Sequence, residues 1–165
     1  MRSNRGGLSS AVMHYLNWNS LDRSFYLFDT FCGFDPIVLT PEEQALNYME
    51  KSQAAYSECY EQAKQNFSEF KNVIFVRGTI PNTLNQVDIP KVAYLSIDMN
   101  CVQPEIAAAH HFWPKLCVGG MILLDDYTYG TTRIQKQGFD QFAQEKNTLV
   151  LSLPTGQGLI IKSIP

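Results

Sequence analysis

Three aspartates, Asp98, Asp125 and Asp126, directly follow two short apolar runs of the sequence. The runs Val92–Ile97 and Met121–Leu124 have the composition of buried strands. If these strands are neighbours, the three carboxylates converge at one sheet edge, where like charges raise one another's pKa unless a cation neutralises them. A hard divalent ion with oxygen ligands, such as Mg²⁺, resolves this repulsion. The pattern therefore predicts a magnesium site, with capping of the following helices as the alternative role.

Two further positions are suited to a nucleotide-like ligand. Asp29 ends the apolar run Phe25–Phe28, where an acid can bind ribose hydroxyls, although a turn at Asp29-Thr30 explains it equally well. The pair Gly6-Gly7 precedes a helical stretch and permits close approach of a ligand to backbone N–H groups. There is no G-x-G-x-x-G motif, so a nicotinamide-dependent oxidoreductase is disfavoured.

Histidine and cysteine give no sign of a metal site. The three histidines lack a carboxylate or cysteine at ligand spacing, and His110 falls on an apolar helix stripe, which favours a core position. The cysteines form no C-x-x-C pair and are interpreted as buried, reduced thiols, which fits a reducing cytoplasm. They are Cys32, Cys59, Cys101 and Cys117.

The elements that must position these residues alternate between strands and helices, which predicts an α/β domain. Continuous apolar strands indicate a mostly parallel sheet, and the turn Pro154–Gly158 indicates a C-terminal antiparallel hairpin. Gly119-Gly120 is expected to end a helix. Strands are expected at 25–28, 73–76, 92–97, 121–124, 149–153 and 159–162. Helices are expected at 8–17, from Pro41 with Thr40 as N-cap, for four turns along the face from Tyr56 to Phe70, from Pro104, and around Phe139–Ala143.

Composition restricts the possible classes of protein. The chain has 165 residues, of which 45% are hydrophobic and 18% charged, as expected of one globular domain over residues 1–165. The net charge of −3 and the absence of a basic run argue against nucleic-acid or membrane-surface binding. No apolar stretch reaches the roughly 18 residues of a membrane span, and the N-terminal sequence lacks a signal-peptide pattern, so a cytoplasmic location is expected.

Five blocks of the sequence, in matching order and spacing, resemble the macrocin O-methyltransferase family of TylF and MycF type. They are Leu27–Phe31, Val76–Pro81, Tyr94–Asp98, Gly119–Tyr127 and Leu153–Gly158. The resemblance covers nearly the whole chain. It implies a Rossmann-like class I methyltransferase fold that uses S-adenosylmethionine (SAM) and Mg²⁺ to methylate a hydroxyl of a sugar or natural-product small molecule.

The resemblance also assigns roles to residues. Asp98, Asp125 and Asp126 match the metal ligands. Asp29 with Thr30 matches the ribose-binding position, and Gly78-Thr79 matches the segment beside the adenine. The loop that receives the methionine end of SAM corresponds to Arg5, Gly6, Gly7 and Ser9.

Two departures from the family pattern matter. The family has a central strand before the glycine loop, whereas here only a few residues precede Gly6, so an N-terminally truncated domain lacking its first strand is expected. Asn100 stands where many members carry a second acid as general base, which leaves Asp98 or Asp126 to accept a proton from a coordinated hydroxyl.

Alternative functions follow from these departures. A truncated or degenerate relative that binds weakly, or only within an assembly, is the main alternative, and a homo-oligomer is possible. A phospho-acceptor signalling domain is disfavoured because its aspartate pair follows the first strand, whereas Asp125-Asp126 comes last.

Overall fold

The computed structural model describes residues 6–33, 35–45, 57–128 and 133–163. The helices are α1 (Gly7–Tyr15), α2 (Pro41–Ala45), α3 (Tyr60–Asn66), α4 (Val102–Phe112) and α5 (Ile134–Glu145). The strands are β1 (Phe25–Asp29), β2 (Val73–Arg77), β3 (Val92–Ile97), β4 (Leu116–Leu124), β5 (Leu151–Ser152) and β6 (Gly158–Ile161). This order confirms the α/β prediction. Within these residues, no helix has the length and apolar character that crossing a bilayer requires.

The chain divides into two compact units. Unit 1 comprises Met1–Pro36 and Gln44–Thr79, and unit 2 comprises Ile37–Glu43 and Ile80–Pro165. Unit 1 contains the residues expected to bind SAM, and unit 2 contains the aspartates expected to bind metal.

In unit 1, the two strands form a parallel pair. β1 and β2 run in register from Phe25 opposite Val73 to Asp29 opposite Arg77. Met13 of α1 and Phe67, which follows α3, are buried in the core of this unit. The two apolar runs found in the sequence therefore form a sheet whose carboxyl ends carry Asp29 and Gly78.

In unit 2, four strands pair in the order β3-β4-β6-β5. β3 and β4 are parallel, whereas β6 is antiparallel to both of its neighbours. Ile122 of β4 and Ile160 of β6 pair across the sheet and are fully buried with Phe139 and Phe142 of α5. Parallel pairs followed by a C-terminal antiparallel hairpin confirm the predicted strand arrangement, although β5 is shorter than expected and β6 begins one residue earlier.

The helix expected from Tyr56 to Phe70 is shorter than predicted. Tyr56 lies outside the described residues, and α3 ends at Asn66. Beyond it the amide of Phe70 donates to the Phe67 carbonyl at 3.0 Å, which is a three-residue turn. The aromatic periodicity continues past the helix because Phe67 and Phe70 still pack in the same core cluster.

Gly119 and Gly120 do not end a helix, contrary to the prediction. Both lie inside β4, where the Gly119 amide donates to the Lys162 carbonyl at 2.7 Å and the Lys162 amide donates to the Gly120 carbonyl at 3.0 Å. Gly119 has a φ of 81°, a conformation that glycine adopts without steric cost. The pairing of β3 with β4 shifts register across this segment, which identifies an irregularity in the strand.

The side chain of Lys162, and not the glycine pair, contacts the chain at the end of α4. Its side chain is 5% exposed, and its ammonium donates to the carbonyls of Trp113 and Leu116 at 3.1 and 3.0 Å. These carbonyls lie just past the end of α4, where the last carbonyls of a helix have no N–H donor within the helix.

The N-terminus of α2 is formed as predicted and has an additional contact. Thr40 and Glu43 form a reciprocal capping box: the Thr40 amide donates to the Glu43 carboxylate at 2.8 Å, and the Glu43 amide donates to the Thr40 hydroxyl at 3.2 Å. The fully buried Glu43 carboxylate also accepts the Val102 amide at 2.8 Å, at the start of α4.

His110 and two of the cysteines differ from expectation. His110 is exposed at the surface, where its ring packs edge-on against Phe142 and its Nε2 lies 3.5 Å from a Glu145 carboxylate oxygen. Cys59 and Cys101 are buried as predicted, but Cys32 is exposed and Cys117 is partly buried. All four cysteines lie in the described residues, and none of them forms a disulfide.

Candidate active site

The three aspartates of unit 2 lie together at the carboxyl ends of β3 and β4. Ile97 pairs with Leu124, and the Asp125 amide donates to the Ile97 carbonyl at 3.0 Å, so the two strand ends stay joined. One carboxylate oxygen from each of Asp98, Asp125 and Asp126 lies within 4.8 Å of the others. The sequence prediction that these side chains converge is therefore confirmed.

The alternative role of these aspartates as helix caps is wrong for the described helices. α4 begins after Cys101 and α5 begins after Arg133, and neither N-cap makes a side-chain hydrogen bond. Asp98 lies three residues before the N-cap of α4, and the Asp125-Asp126 pair lies well before α5. No helix start therefore accounts for the three acids.

Two of the three carboxylates accept a hydrogen bond from a side-chain amide. Asn100 Nδ2 donates to Asp98 Oδ1 at 3.2 Å, and Gln157 Nε2 donates to Asp125 Oδ1 at 2.7 Å. Asp126 differs, because its Oδ2 is buried and has no hydrogen-bond partner among the described residues. Burial and the neighbouring Asp125 raise the pKa of Asp126 to about 6.

Glu105 supports the loop that carries Asp98. Its side chain is 2% exposed, and its Oε1 accepts the Met99 amide at 3.1 Å. Burial raises the pKa of Glu105 well above its usual range, and the charges of Asp126 and Asp98 raise it further. The sequence pattern predicted only that a helix starts at Pro104, the residue before Glu105. An acid in the first turn of the helix after Asp98 was the signal that could have identified it.

In unit 1, Asp29 lies at the end of β1 in a tight turn. Its Oδ1 accepts the Phe31 amide at 2.7 Å, and Phe31 adopts a left-handed φ of 58°. The Gly78 amide donates to the Asp29 carbonyl at 3.0 Å, which joins the ends of β1 and β2. The residue is exposed, yet adjacent protein atoms disfavour its charged form and raise the pKa of Asp29. The turn interpretation is confirmed, and it leaves the carboxylate at the sheet edge.

The hydroxyls of the predicted cofactor residues already make hydrogen bonds within unit 1. Thr30 Oγ1 donates to the Gly33 carbonyl at 2.5 Å, and Thr79 Oγ1 donates to Asp35 Oδ2 at 3.0 Å. These bonds fix the loops that follow β1 and β2. The two threonines therefore shape the loops.

Gly6 starts α1 in a conformation and a space that favour glycine. It has a φ of 81°, and a Cβ placed on it would lie 2.2 Å from the Phe67 ring. Gly7 has no heavy atom within 4 Å of the corresponding position. No side chain caps α1, so its first N–H groups are suited to an anionic ligand. Ser9 lies in this first turn, whereas Arg5 lies outside the described residues.

Gln157 contacts the cluster of three aspartates, and its sequence position did not predict this contact. It was interpreted only as part of a hairpin turn. The hairpin turn alone did not identify it, because the contact depends on the antiparallel pairing of β6 with β4, which places the residues before β6 beside the end of β4 that carries Asp125.

Comparison with known families assigns the chain to one of them. Residues 3–150 match the family described as macrocin-O-methyltransferase (TylF). The match spans most of the 165 residues, so the chain belongs to this family of O-methyltransferases. No curated protein matches the sequence.

Solved structures of methyltransferases share the fold. The chain is similar to the O-methyltransferase NovP, with a TM-score of 0.81 and 20% identity over 97% of this chain and 69% of NovP. It is also similar to the calicheamicin methyltransferase CalS11, with a TM-score of 0.66 and 18% identity over 96% of this chain and 68% of CalS11. For the PaMTH1 methyltransferase of Podospora anserina, bound to S-adenosylhomocysteine, the TM-score is 0.57 and the identity 14%, over 98% and 69% of the two chains. These likenesses confirm the Rossmann-like class I fold.

Proposed function

We propose that this member of the macrocin-O-methyltransferase family transfers the SAM methyl group to a hydroxyl of a sugar or related natural product, with Mg²⁺ bound by Asp98, Asp125 and Asp126. The observation that carries the proposal is the convergence of these three carboxylates, one of which has a buried oxygen without a hydrogen-bond partner. Among the structures with the same fold, CalS11 is described as a TDP-rhamnose 3'-O-methyltransferase, which supports a sugar hydroxyl as acceptor.

The donor set fits magnesium. All three side chains offer carboxylate oxygens, the ligands that hard divalent cations prefer. A buried oxygen without a partner has a large desolvation cost, and a cation at Asp126 removes that cost. When bound, Mg²⁺ would lower the pKa of a coordinated substrate hydroxyl and fix the position of its oxygen.

The proton of the acceptor hydroxyl is assigned to an aspartate. Asn100 occupies the position from which an acid acts in many family members, and an amide does not accept a proton in that role. Asp98 and Asp126 are the two candidate acceptors, and the proton would go to a carboxylate oxygen of either residue that does not bind the cation.

The residues of unit 1 are proposed to bind SAM. Asp29 would hold the ribose hydroxyls with a carboxylate oriented by the Phe31 amide, and the start of α1 after Gly6 would receive the carboxylate of the methionine group. Gly78 and Thr79 would lie beside the adenine. The sulfonium is already activated, so positioning of its methyl group is the main contribution expected of the protein.

Calorimetric titration with SAM, followed by detection of S-adenosylhomocysteine release with nucleotide-sugar acceptors, tests the proposal. Asp125→Ala should abolish Mg²⁺-dependent turnover while SAM still binds, and Asp29→Ala should weaken SAM binding. Asp22→Ala, at an exposed position of unit 1, is the control and should change neither. Retained Mg²⁺-dependent turnover in Asp125→Ala would contradict the metal assignment. A folded parent chain that binds no SAM would favour the non-catalytic alternative.

A further inference from the structure

We propose that Gln157, oriented by Thr155, is a positioning residue that fixes the Asp125 carboxylate for cation binding. The inference rests on the proposed function, since it assigns a supporting role at the same metal site. It concerns Thr155 and Gln157 in the turn between β5 and β6, which lies outside the family match over residues 3–150 and to which the resemblance assigned no site role.

A chain of two hydrogen bonds carries the proposal. Thr155 Oγ1 donates to Gln157 Oε1 at 2.8 Å, and Gln157 Nε2 donates to Asp125 Oδ1 at 2.7 Å. An ionised carboxylate only accepts hydrogen bonds, so the NH₂ end of the amide must face Asp125. The Thr155 hydroxyl donates to the opposite, carbonyl end of the amide and holds it in place. The amide therefore has one orientation in which both neighbours are satisfied.

The backbone holds this turn against the end of β4. Gly158 pairs with Leu124, so the residue before Gly158 lies next to the residue after Leu124. The Thr128 amide and hydroxyl both donate to the Gly156 carbonyl, at 2.8 and 3.0 Å. The Gly158 position has no room for a side chain, because a Cβ there would lie 2.8 Å from the Tyr127 ring. The turn is thus fastened to the residues that follow the aspartate pair.

The hydrogen bond from Gln157 has two consequences for cation binding. It fixes the rotation of the Asp125 carboxylate, because the amide holds Oδ1 and the planar carboxylate then has its Oδ2 in a fixed direction. It also places an N–H donor on this carboxylate beside two other acids, without adding a further negative charge. Groups that orient metal ligands in this way typically contribute about 10–100-fold to metal affinity.

Divalent-cation binding to the full chain, without SAM or acceptor, tests the inference. The probe is Mn²⁺, followed by electron paramagnetic resonance, with Mg²⁺ as competitor. Gln157→Ala should raise the Kd for Mn²⁺ about 10–100-fold. Thr155→Val should raise it about two- to fivefold, since the orienting hydroxyl is lost, and Thr155→Ser should restore the parent value.

A matched control separates positioning from a general structural effect. Gln141→Ala removes another amide-to-carboxylate hydrogen bond, from Nε2 to Glu145 Oε1 at 3.0 Å on the exposed side of α5, and should leave the Kd unchanged. The melting temperature in EDTA is measured for every variant. Thr155 is exposed, so Thr155→Val tests the inference even if Gln157→Ala does not fold.

The outcomes distinguish this inference from the proposed function. A parent chain that binds no Mn²⁺ overturns the metal site and this inference together. A parent that binds Mn²⁺, with Gln157→Ala and Thr155→Val binding equally well, overturns the positioning role alone. A loss of binding that follows the melting temperature and is not restored in Thr155→Ser also overturns it, because it shows a structural role.

Discussion

Replacing Asp126 with asparagine should stabilise the metal-free protein while abolishing Mg²⁺ binding. Burial and Asp125 raise the pKa of Asp126 from 3.8 to about 6, so the folded protein holds this proton more tightly than the unfolded chain does. The sign follows from linkage: ionisation of Asp126 lowers the free energy of unfolding as the pH rises from about 4 to about 6, and the full loss is present above pH 6.

The magnitude follows from the difference between the two pKa values. At about 1.4 kcal/mol for each pH unit, a difference of about 2 units corresponds to about 3 kcal/mol. Asp126 is only partly buried, and solvent screening reduces this to about 1–2 kcal/mol. For a chain of this size, Asp126→Asn should then raise the melting temperature in EDTA at pH 7.5 by roughly 2–8 °C.

Two conditions make the assay specific. As the pH is lowered towards 4, the advantage of Asp126→Asn should disappear, because the parent carboxyl becomes protonated in the folded state. Saturating Mg²⁺ should stabilise the parent, by about 2.7 kcal/mol at a hundredfold excess over Kd, and should leave Asp126→Asn unchanged. Asp22→Asn, at an exposed site, is the control and should behave as the parent.

The reasoning would be refuted if Asp126→Asn were no more stable than the parent in EDTA at pH 7.5. That result would mean that the ionised carboxylate is not the costly group and that the partnerless Oδ2 has another source of stabilisation. A stability gain that persists unchanged at pH 4 would also contradict it, because the gain would then not depend on ionisation.

Three further substitutions test the packing that supports the two sites, each by thermal unfolding. Gly6→Ala should lower stability by about 1–3 kcal/mol, since φ is 81° and the new Cβ meets Phe67, whereas Gly7→Ala should stay within about 0.5 kcal/mol; equal effects would contradict this account. Glu43→Ala should cost about 2–5 kcal/mol, because two backbone amides lose a buried acceptor, and a loss below 1 kcal/mol would exclude that role. Lys162→Met should cost about 2–4 kcal/mol, as two carbonyls lose their charged donor, and an unchanged melting temperature would disprove the contribution of those bonds.

The sequence alone determined where the strands end and which acidic side chains follow them. The apolar runs found in β3 and β4 are each followed at once by acid, so local pattern placed Asp98, Asp125 and Asp126 at strand ends, and the pairing of β3 with β4 brought them together. The capping box at Thr40 and the C-terminal hairpin are likewise local features, because their partners lie a few residues apart. Similar blocks in the chain also identified its family correctly.

Only the tertiary structure decided which side chains support these groups. Gln157 is 32 positions from Asp125, and Glu43 is 59 positions from Val102. The hydrogen bond within each pair therefore depends on how distant segments of the chain pair and pack. Periodicity assigned His110 to the core, but the end of α4 turns this ring towards Glu145 at the surface. A pattern of apolar residues specifies the face of an element, whereas a hydrogen bond requires two particular atoms to meet. That meeting is determined by how the elements pack.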